Sequence, residues 1–392
     1  MKLYAQQGYG DGDKTDMGLS EGSIQGAIFS PKDLIPKTTV SRMEQIGRTY
    51  PGADVFLDPQ FYVNLHADNP DASLGKLTEW DFFTGVRRSQ LEDSDQIDRV
   101  LGTYMQCQTE MPVTAVIAPN IYISRSFDSI EAAIAKSFLR RAQAAYGELH
   151  DDRPLYASLI VSREALLQER EFDGFLNDLT AMPNPPHGLY LVIGSRSPEI
   201  RTDVFHADVI SRWMLMNYAL SINGVHVVNG YSDILTPVLG VAGGQAGATG
   251  WWSNLRRFSM ERFLPSRSGG RLPTIPYLST ALLNRITWAE KRAFEAFEPE
   301  IVNGLSHDAD YEPEPHRSLE VLQSWEALKD LIDNIVRSDI KDGLACLEDA
   351  VDRAGRTYMK LKSRVPLDPK SNEDHVDAIG QGIKEFRVRA EL

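Results

Sequence analysis

Short runs of Val, Ile, Leu and aromatic residues alternate along the chain with longer stretches whose apolar positions recur at helical spacing. The runs lie at residues 24–30 (IQGAIFS), 53–58 (ADVFLD), 113–118 (VTAVIA), 155–162 (LYASLIVS), 188–194 (GLYLVIG), 224–229 (GVHVVN), 246–251 (AGATGW) and 274–278 (TIPYL). None alternates strictly between apolar and polar, which is the pattern of strands covered on both faces. Between them, residues 39–49, 129–149, 163–179, 202–223 and 279–297 read as amphipathic helices. Eight strand signals, most followed by a helix signal, predict an α/β fold, specifically a (β/α)8 TIM barrel. A doubly wound open sheet is the alternative, and the count of eight favours closure.

Two stretches break the repeat. Residues 62–111 separate the second run from the third by far more than a normal crossover, and hold a Trp80–Gly85 patch and a charged helix over 91–106. They read as an insertion or lid after strand two. Beyond Asn303 the strand signals stop, Pro313 and Pro315 mark a linker, and residues 318–356 and 373–389 read as helices. The expected organisation is an N-terminal segment 1–23, a barrel 24–303 with its insertion, and a C-terminal helical appendage 304–392.

Composition narrows the class without naming it. Of 392 residues, 42% are hydrophobic and 24% charged, ordinary for a globular chain and wrong for a disordered or collagen-like one. The 41 basic and 55 acidic residues leave a net charge of −14, which argues against indiscriminate polyanion binding but leaves room for a local basic cleft. Cys107 and Cys346 form no CxxC pair, and the eight histidines show no HxH or HExxH spacing, so no metal site is expected. No GxGxxG follows the first run and no GxxxxGK[ST] occurs, so no nucleotide cofactor is expected either. Residues 1–20 lack the apolar core of a secretory signal, and no run is long enough to span a membrane; the expected setting is cytoplasmic, without membrane contact.

In a barrel of this kind the chemistry sits at the C-terminal ends of the strands. Positions just past each run include Lys32 and Asp33, Asp58 and Gln60, Asn120 and Tyr122, Ser162 to Glu164, Ser195 and Arg196, Asn229 to Asp233, and Trp251, Trp252, Asn254 and Arg256. Asp58 is placed to act as general base, nucleophile or stabiliser of a developing cation, although Asp-Pro also simply starts a turn. Asp233 is a second catalytic candidate and equally a good helix N-cap. Gln60, Asn120, Arg196, Asn229 and Tyr231 would line the substrate, and Trp251 or Trp252 would stack on a flat ligand. His226 reads as a core histidine.

Between Trp251 and Arg292 the charge balance reverses, with eight basic residues against Glu261 and Glu290. Arg256, Arg257, Arg262, Arg267 and Arg271, around the Gly- and Ser-containing loop at 265–273, form the stretch best suited to gripping a nucleic-acid backbone.

Together these features resemble the tRNA-guanine transglycosylase-like superfamily, including its DpdA-type and phage-defence DNA glycosylase branch. LDPQFY lies where that family carries Asp-Ser-Gly-Gly-Phe-Gln, with Asp58 matching its Asp and the Ser-Gly-Gly missing. LYLVIGS at 189–195 is similar to the family's Tyr-Leu-Met-Gly-Val-Gly strand, with Gly194 at the glycine that lines the base pocket, and NGVHVVNGYSD to its Gly-Val-Asp-Met-Phe-Asp-Cys segment. Asn229 stands where the family has its nucleophilic Asp, and the family's Cys-x-Cys-x-x-Cys…His zinc site and tRNA-docking element are absent.

The resemblance therefore implies cleavage of an N-glycosidic bond to a flipped, modified base, in DNA rather than tRNA and plausibly in antiviral defence. Base exchange by a transglycosylase is the alternative. Two rivals stand outside it. One is a carbohydrate hydrolase using Glu164 and Asp233 across the cleft. The other is a non-catalytic barrel acting as nucleic-acid sensor or protein scaffold.

Overall fold

The computed structural model describes residues 1–10, 13–66, 69, 71–265, 275–311 and 317–392. Eight parallel strands form a nearly closed barrel: β1 (Lys2–Gln7), β2 (Gly26–Phe29), β3 (Asp54–Leu57), β4 (Val116–Ala118), β6 (Leu155–Ser162), β7 (Gly188–Ser195), β8 (His226–Gly230) and β9 (Ala246–Thr249). The order around the sheet is β3-β2-β1-β9-β8-β7-β6-β4. The two ends meet through Thr114, whose N–H donates to the Val55 carbonyl at 2.8 Å and whose Oγ1 accepts from the Val55 N–H at 2.9 Å.

The barrel is thus the expected fold with two of its members exchanged. The segment at 1–23 is not outside it: LYAQQ is the first strand, hydrogen-bonded to β2 on one side and β9 on the other. The glycines and acids that follow had hidden a strand of only six residues. The eighth expected run is not a barrel strand. Its described part forms β11 (Pro276–Ser279), an antiparallel hairpin with β12 (Asn284–Thr287), and the expected helix over 279–297 shrinks to Trp288–Glu295. Two short strands, β5 (Tyr122–Ile123) and β10 (Phe258–Ser259), extend the rim alongside β6 and β7.

Strands β6 and β7 are buried along their whole length, as residues sandwiched between a filled barrel interior and a helical layer must be. Helix ends follow local chemistry. Ser129 caps Ile130–Gly147 by accepting from the Ala132 N–H at 3.2 Å, and Asp339 caps Ile340–Lys362 through the N–H groups of Lys341 and Asp342. The expected long helix at 318–356 is therefore two, Arg317–Ile335 and Ile340–Lys362; with Asp374–Ala390 they pack on the barrel's outer helices. The linker residues Pro313 and Pro315 lie outside the described residues. No helix among the described residues is long and apolar enough to cross a membrane.

The insertion lies over the C-terminal face, as its position in the chain implied. It is a series of short 3-10 turns leading into the helix Ser94–Thr109. Trp80 pins it by donating from Nε1 to the carbonyls of Pro31 and Leu34, just past β2, at 3.1 and 3.0 Å.

Candidate active site

Asp58 follows β3 at the C-terminal end of the barrel and is wholly buried. Its Oδ1 accepts from the Gln60 N–H at 3.1 Å; its Oδ2 accepts from the Tyr62 hydroxyl at 2.8 Å and the Tyr190 hydroxyl at 3.4 Å. Burial pushes the carboxyl up to about 6, against the opposing pull of Tyr62, the Gln60 amide, the Arg262 guanidinium and Tyr190. A carboxyl so placed exchanges a proton near neutral pH, which is what general acid–base chemistry needs.

Aromatic rings enclose it. Tyr62 meets Phe258 edge-on at 5.2 Å and Phe263 at 6.0 Å, Phe258 lies 5.4 Å from Tyr231, and Tyr122 lies 6.2 Å from Phe258. Two glycines make room. A Cβ on Gly194 would come within 2.6 Å of the Tyr122 hydroxyl, and one on Gly230 within 2.6 Å of the Tyr190 hydroxyl. Gln60, Tyr231 and Asp233 all sit at positive φ (52°, 55° and 44°), a region that non-glycine residues enter only when their surroundings hold them there. Such strain clustered at one mouth is a mark of a functional site.

Gln6 of β1 is wholly buried with its carboxamide against the Tyr190 hydroxyl, in contact with it but without a well-aligned hydrogen bond to any described residue. A buried amide engaged by no more than one hydroxyl keeps donor and acceptor capacity for a ligand edge. Sequence reasoning missed Gln6 because it missed the strand. It missed Tyr62, Tyr190, Phe258 and Phe263 as well, although Tyr190 shares the face of Gly194 by the two-residue period of β7.

The segment Trp251–Leu264 closes the mouth. Arg262, nearly buried, is ion-paired with Asp33 and donates to the Tyr231 hydroxyl at 3.2 Å and the Ser30 Oγ at 3.3 Å. Gln60 joins the same network, donating to Ser30 Oγ at 2.7 Å and accepting from the Lys32 N–H at 2.9 Å. From the insertion, the Ser73 N–H donates to the Phe263 carbonyl at 2.8 Å.

Other expected residues are placed differently. Asn229 and Gly230 are neighbours on a strand and face opposite sides; Gly230 faces inward, so Asn229 faces the helix Ala207–Ile222. There its Oδ1 accepts from Trp213 Nε1 at 2.7 Å and Asn217 Nδ2 at 3.0 Å, leaving nothing for a substrate. Asn120 is likewise engaged, by the Ala135 and Ser158 carbonyls and the Ile121 N–H. Arg196 is tied to Asp203 at the surface.

Trp251 is buried under the Lys14 ammonium, 5.2 Å from the ring, whereas Trp252 is 38% exposed; the rings grouped around Asp58 are tyrosines and phenylalanines instead. His226 is exposed, stacked on His187 at 4.4 Å at the opposite end of the barrel, and is not a core residue.

Asp233 is not a helix cap. Its carboxylate accepts from Arg285 Nη1 at 2.6 Å and Thr249 Oγ1 at 3.1 Å. Burial opposes its charge, but Arg285, Arg256 and Arg257 outweigh burial and hold it below the usual carboxylate range, so it is a fixed anion. Arg256 is spent on Glu320 and on the Gly250 and Trp251 carbonyls, and Arg262 on Asp33. Arg256 and Arg262 are therefore not available to a nucleic-acid backbone, whereas Arg257 has no ion pair among the described residues; Arg267 and Arg271 lie outside the described residues. No group of three or more His, Cys, Asp or Glu among the described residues is arranged to hold a metal ion.

Fold and site define a (β/α)8 barrel with a buried carboxyl, Asp58, closed into an aromatic box at its C-terminal end. Compared by sequence, the chain matches no protein-family model and no curated protein. Among solved structures it is similar to a glycoside hydrolase family 3 β-N-acetylglucosaminidase from Paenibacillus sp. str. FPU-7, with a TM-score of 0.42 and 10% identity; the match covers 96% of this chain and 65% of that one.

Proposed function

We propose that this barrel cleaves the N-glycosidic bond of a nucleobase, with Asp58 as its acid–base group. The observation that carries the reading is the buried Asp58 carboxyl, tuned to about 6 and clasped by Tyr62 and Tyr190 inside a ring of aromatic faces. Such faces would stack on a flat base once the segment over them lifts, and the buried Gln6 carboxamide would read its edge.

In the reaction, water adds to the anomeric carbon and the carbon–nitrogen bond breaks with its electron pair leaving on the base. Asp58 takes the proton of the attacking water and returns it to the departing base, so one carboxyl suffices. Asp233, neutralised by its pair with Arg285 and by Arg256 and Arg257 beside it, takes no part in the step. Substrate enters once the Phe258–Phe263 segment lifts from Asp33, Ser30 and Tyr231.

The test is base release. The full-length protein is incubated with unmodified and hypermodified DNA, tRNA and free nucleosides, and liberated bases are read by mass spectrometry. Release from one class, lost in Asp58→Asn, supports the proposal and names the substrate. Full release by Asp58→Asn refutes it. One observation favours a second reading: the closed mouth leaves Asp58 with no exposure, as in a binding barrel that senses rather than turns over. Binding of one of these nucleic acids without release of any base selects that reading.

A further inference from the structure

Behind the ends of β8 and β9 the guanidiniums of Arg256, Arg257 and Arg285 come together around Asp233, with Arg201 beside Arg257. Among the described residues two carboxylates are ion-paired with them, Asp233 with Arg285 and Glu320 with Arg256. Glu199 lies near Arg257, but its carboxylate is held by Lys370 at 2.7 Å. Arg201 is bound only by neutral groups, among them Asn284 Oδ1 at 2.9 Å and His375 Nδ1 at 3.2 Å.

Arg257 has no ion pair among the described residues. Its buried Nη1 meets no acceptor, and neither do Nε and Nη2 of Arg285 or Nε of Arg201. Arg257 and Arg201 thus each bury a guanidinium nitrogen that meets no acceptor, and neither has an ion pair among the described residues. An uncompensated buried charge is strongly destabilising, and a fold retains one where something else supplies the opposite charge.

The location is informative. β8 and β9 are the seventh and eighth strands of the barrel, and in this fold the loops after those two strands are where phosphate groups are most often held. Arg257, on the segment after β9, lines a cleft whose other walls are Tyr231 after β8, the end of β7 at Ile193 to Ser195, and Asp203, Val209 and Trp213 of the helices that follow it. The Asp203 carboxylate does not repel an anion, being already paired with Arg196 and, at 3.2 Å, with Arg163. The cleft has a free volume of about 10 Å³, room for one oxygen atom to reach inward while the rest of a phosphate stays at its opening.

We propose that Arg257, with Arg285 and Arg201 behind it, binds a phosphate group, carried by a phosphorylated substrate or present as the free ion. Forked guanidinium donors suit phosphate oxygens, and the unused N–H groups are the ones it would take up. The inference does not rest on the glycosidic reading. Phosphate binding without base release leaves this site standing, and base release without phosphate binding removes this site alone.

The test uses the full chain in thermal unfolding and calorimetry, with inorganic phosphate titrated against chloride at constant ionic strength. A nucleoside 5′-monophosphate and its parent nucleoside are run in parallel. Phosphate is expected to raise the Tm of the wild type. Arg257→Met is expected to bind it about tenfold more weakly or worse. In phosphate-free buffer that variant is expected to melt above the wild type, because it deletes an unpaired buried charge, and Arg257→Lys should keep part of the response.

Tighter binding of the monophosphate than of phosphate, with none of the nucleoside, assigns the site to a substrate. Equal binding of phosphate and monophosphate assigns it to the free anion. A wild type indifferent to both anions overturns the proposal, and so does an equal response in wild type and Arg257→Met.

Discussion

Replacing Asp58 by Asn separates a functional carboxyl from a structural one. The folded protein holds this carboxyl at about 6 instead of 3.8, so between those values it binds a proton that the unfolded chain has already released. Stability from this group therefore falls as pH rises from about 4 to about 6 and is flat above. Two units at about 1.4 kcal/mol each make the ionised side chain cost about 3 kcal/mol at neutral pH.

Asparagine keeps the shape and removes that cost, while the Tyr62 hydroxyl can turn to accept from the new amide. The variant is expected to be more stable than wild type at about pH 7.5, with a gain about 2 kcal/mol larger than at about pH 4.5. Urea unfolding at both pH values measures it, with base release measured on the same samples. A variant more stable but inactive is the pattern of a group kept at the expense of the fold. Equal destabilisation at both pH values would refute the reasoning, because it would make Asp58 a hydrogen-bond anchor whose ionisation costs the fold nothing.

Three further outcomes follow from the same geometry. Gly230→Ala places a Cβ within 2.6 Å of the Tyr190 hydroxyl and should cost about 1–3 kcal/mol; by dislodging that hydroxyl from Asp58 it should also move the pH dependence of unfolding upward. Arg262→Met breaks the pair with Asp33 and the bonds to Tyr231 and Ser30, and should cost roughly 3 kcal/mol in urea unfolding. It should also speed proteolytic cutting near residues 258–265, and unchanged cutting would show that Arg262 does not hold the segment down. His375 is kept neutral by burial, with its value lowered to about 4, so the unfolded chain binds a proton there first and stability falls as pH drops from about 6.5 toward 4, by about 3 kcal/mol. His375→Gln should flatten that limb in acid titrations followed by circular dichroism.

The barrel was legible because its signals are local. A run such as LYASLIVS is apolar on both faces whatever surrounds it, and it is buried along its whole length in the folded chain. The errors came where a local signal was diluted or shared. Six strand residues at the N-terminus were averaged with the glycines and acids after them, and TIPYL has the same composition whether it pairs in a barrel or in a hairpin.

The position of Asp58 was likewise readable, since it follows directly from where the strand ends. The direction of its neighbours was not. Asn229 and Gly230 differ by one position, and which of them faces inward depends on the register of β8 against β7 and β9.

Sequence alone therefore determined the class of fold, the helical C-terminal region and the carboxylate at the strand end, because backbone periodicity and chain order are properties of neighbouring residues. Tertiary structure decided everything that depends on which residues meet across the chain. It turned Arg256 and Arg262 inward onto Glu320 and Asp33, left Arg257 without an ion pair among the described residues, and brought Gln6, Tyr62 and Tyr190 around Asp58. A charge or an amide has no fixed role until its burial and partners are set, and closing a barrel brings together groups that are far apart in the chain.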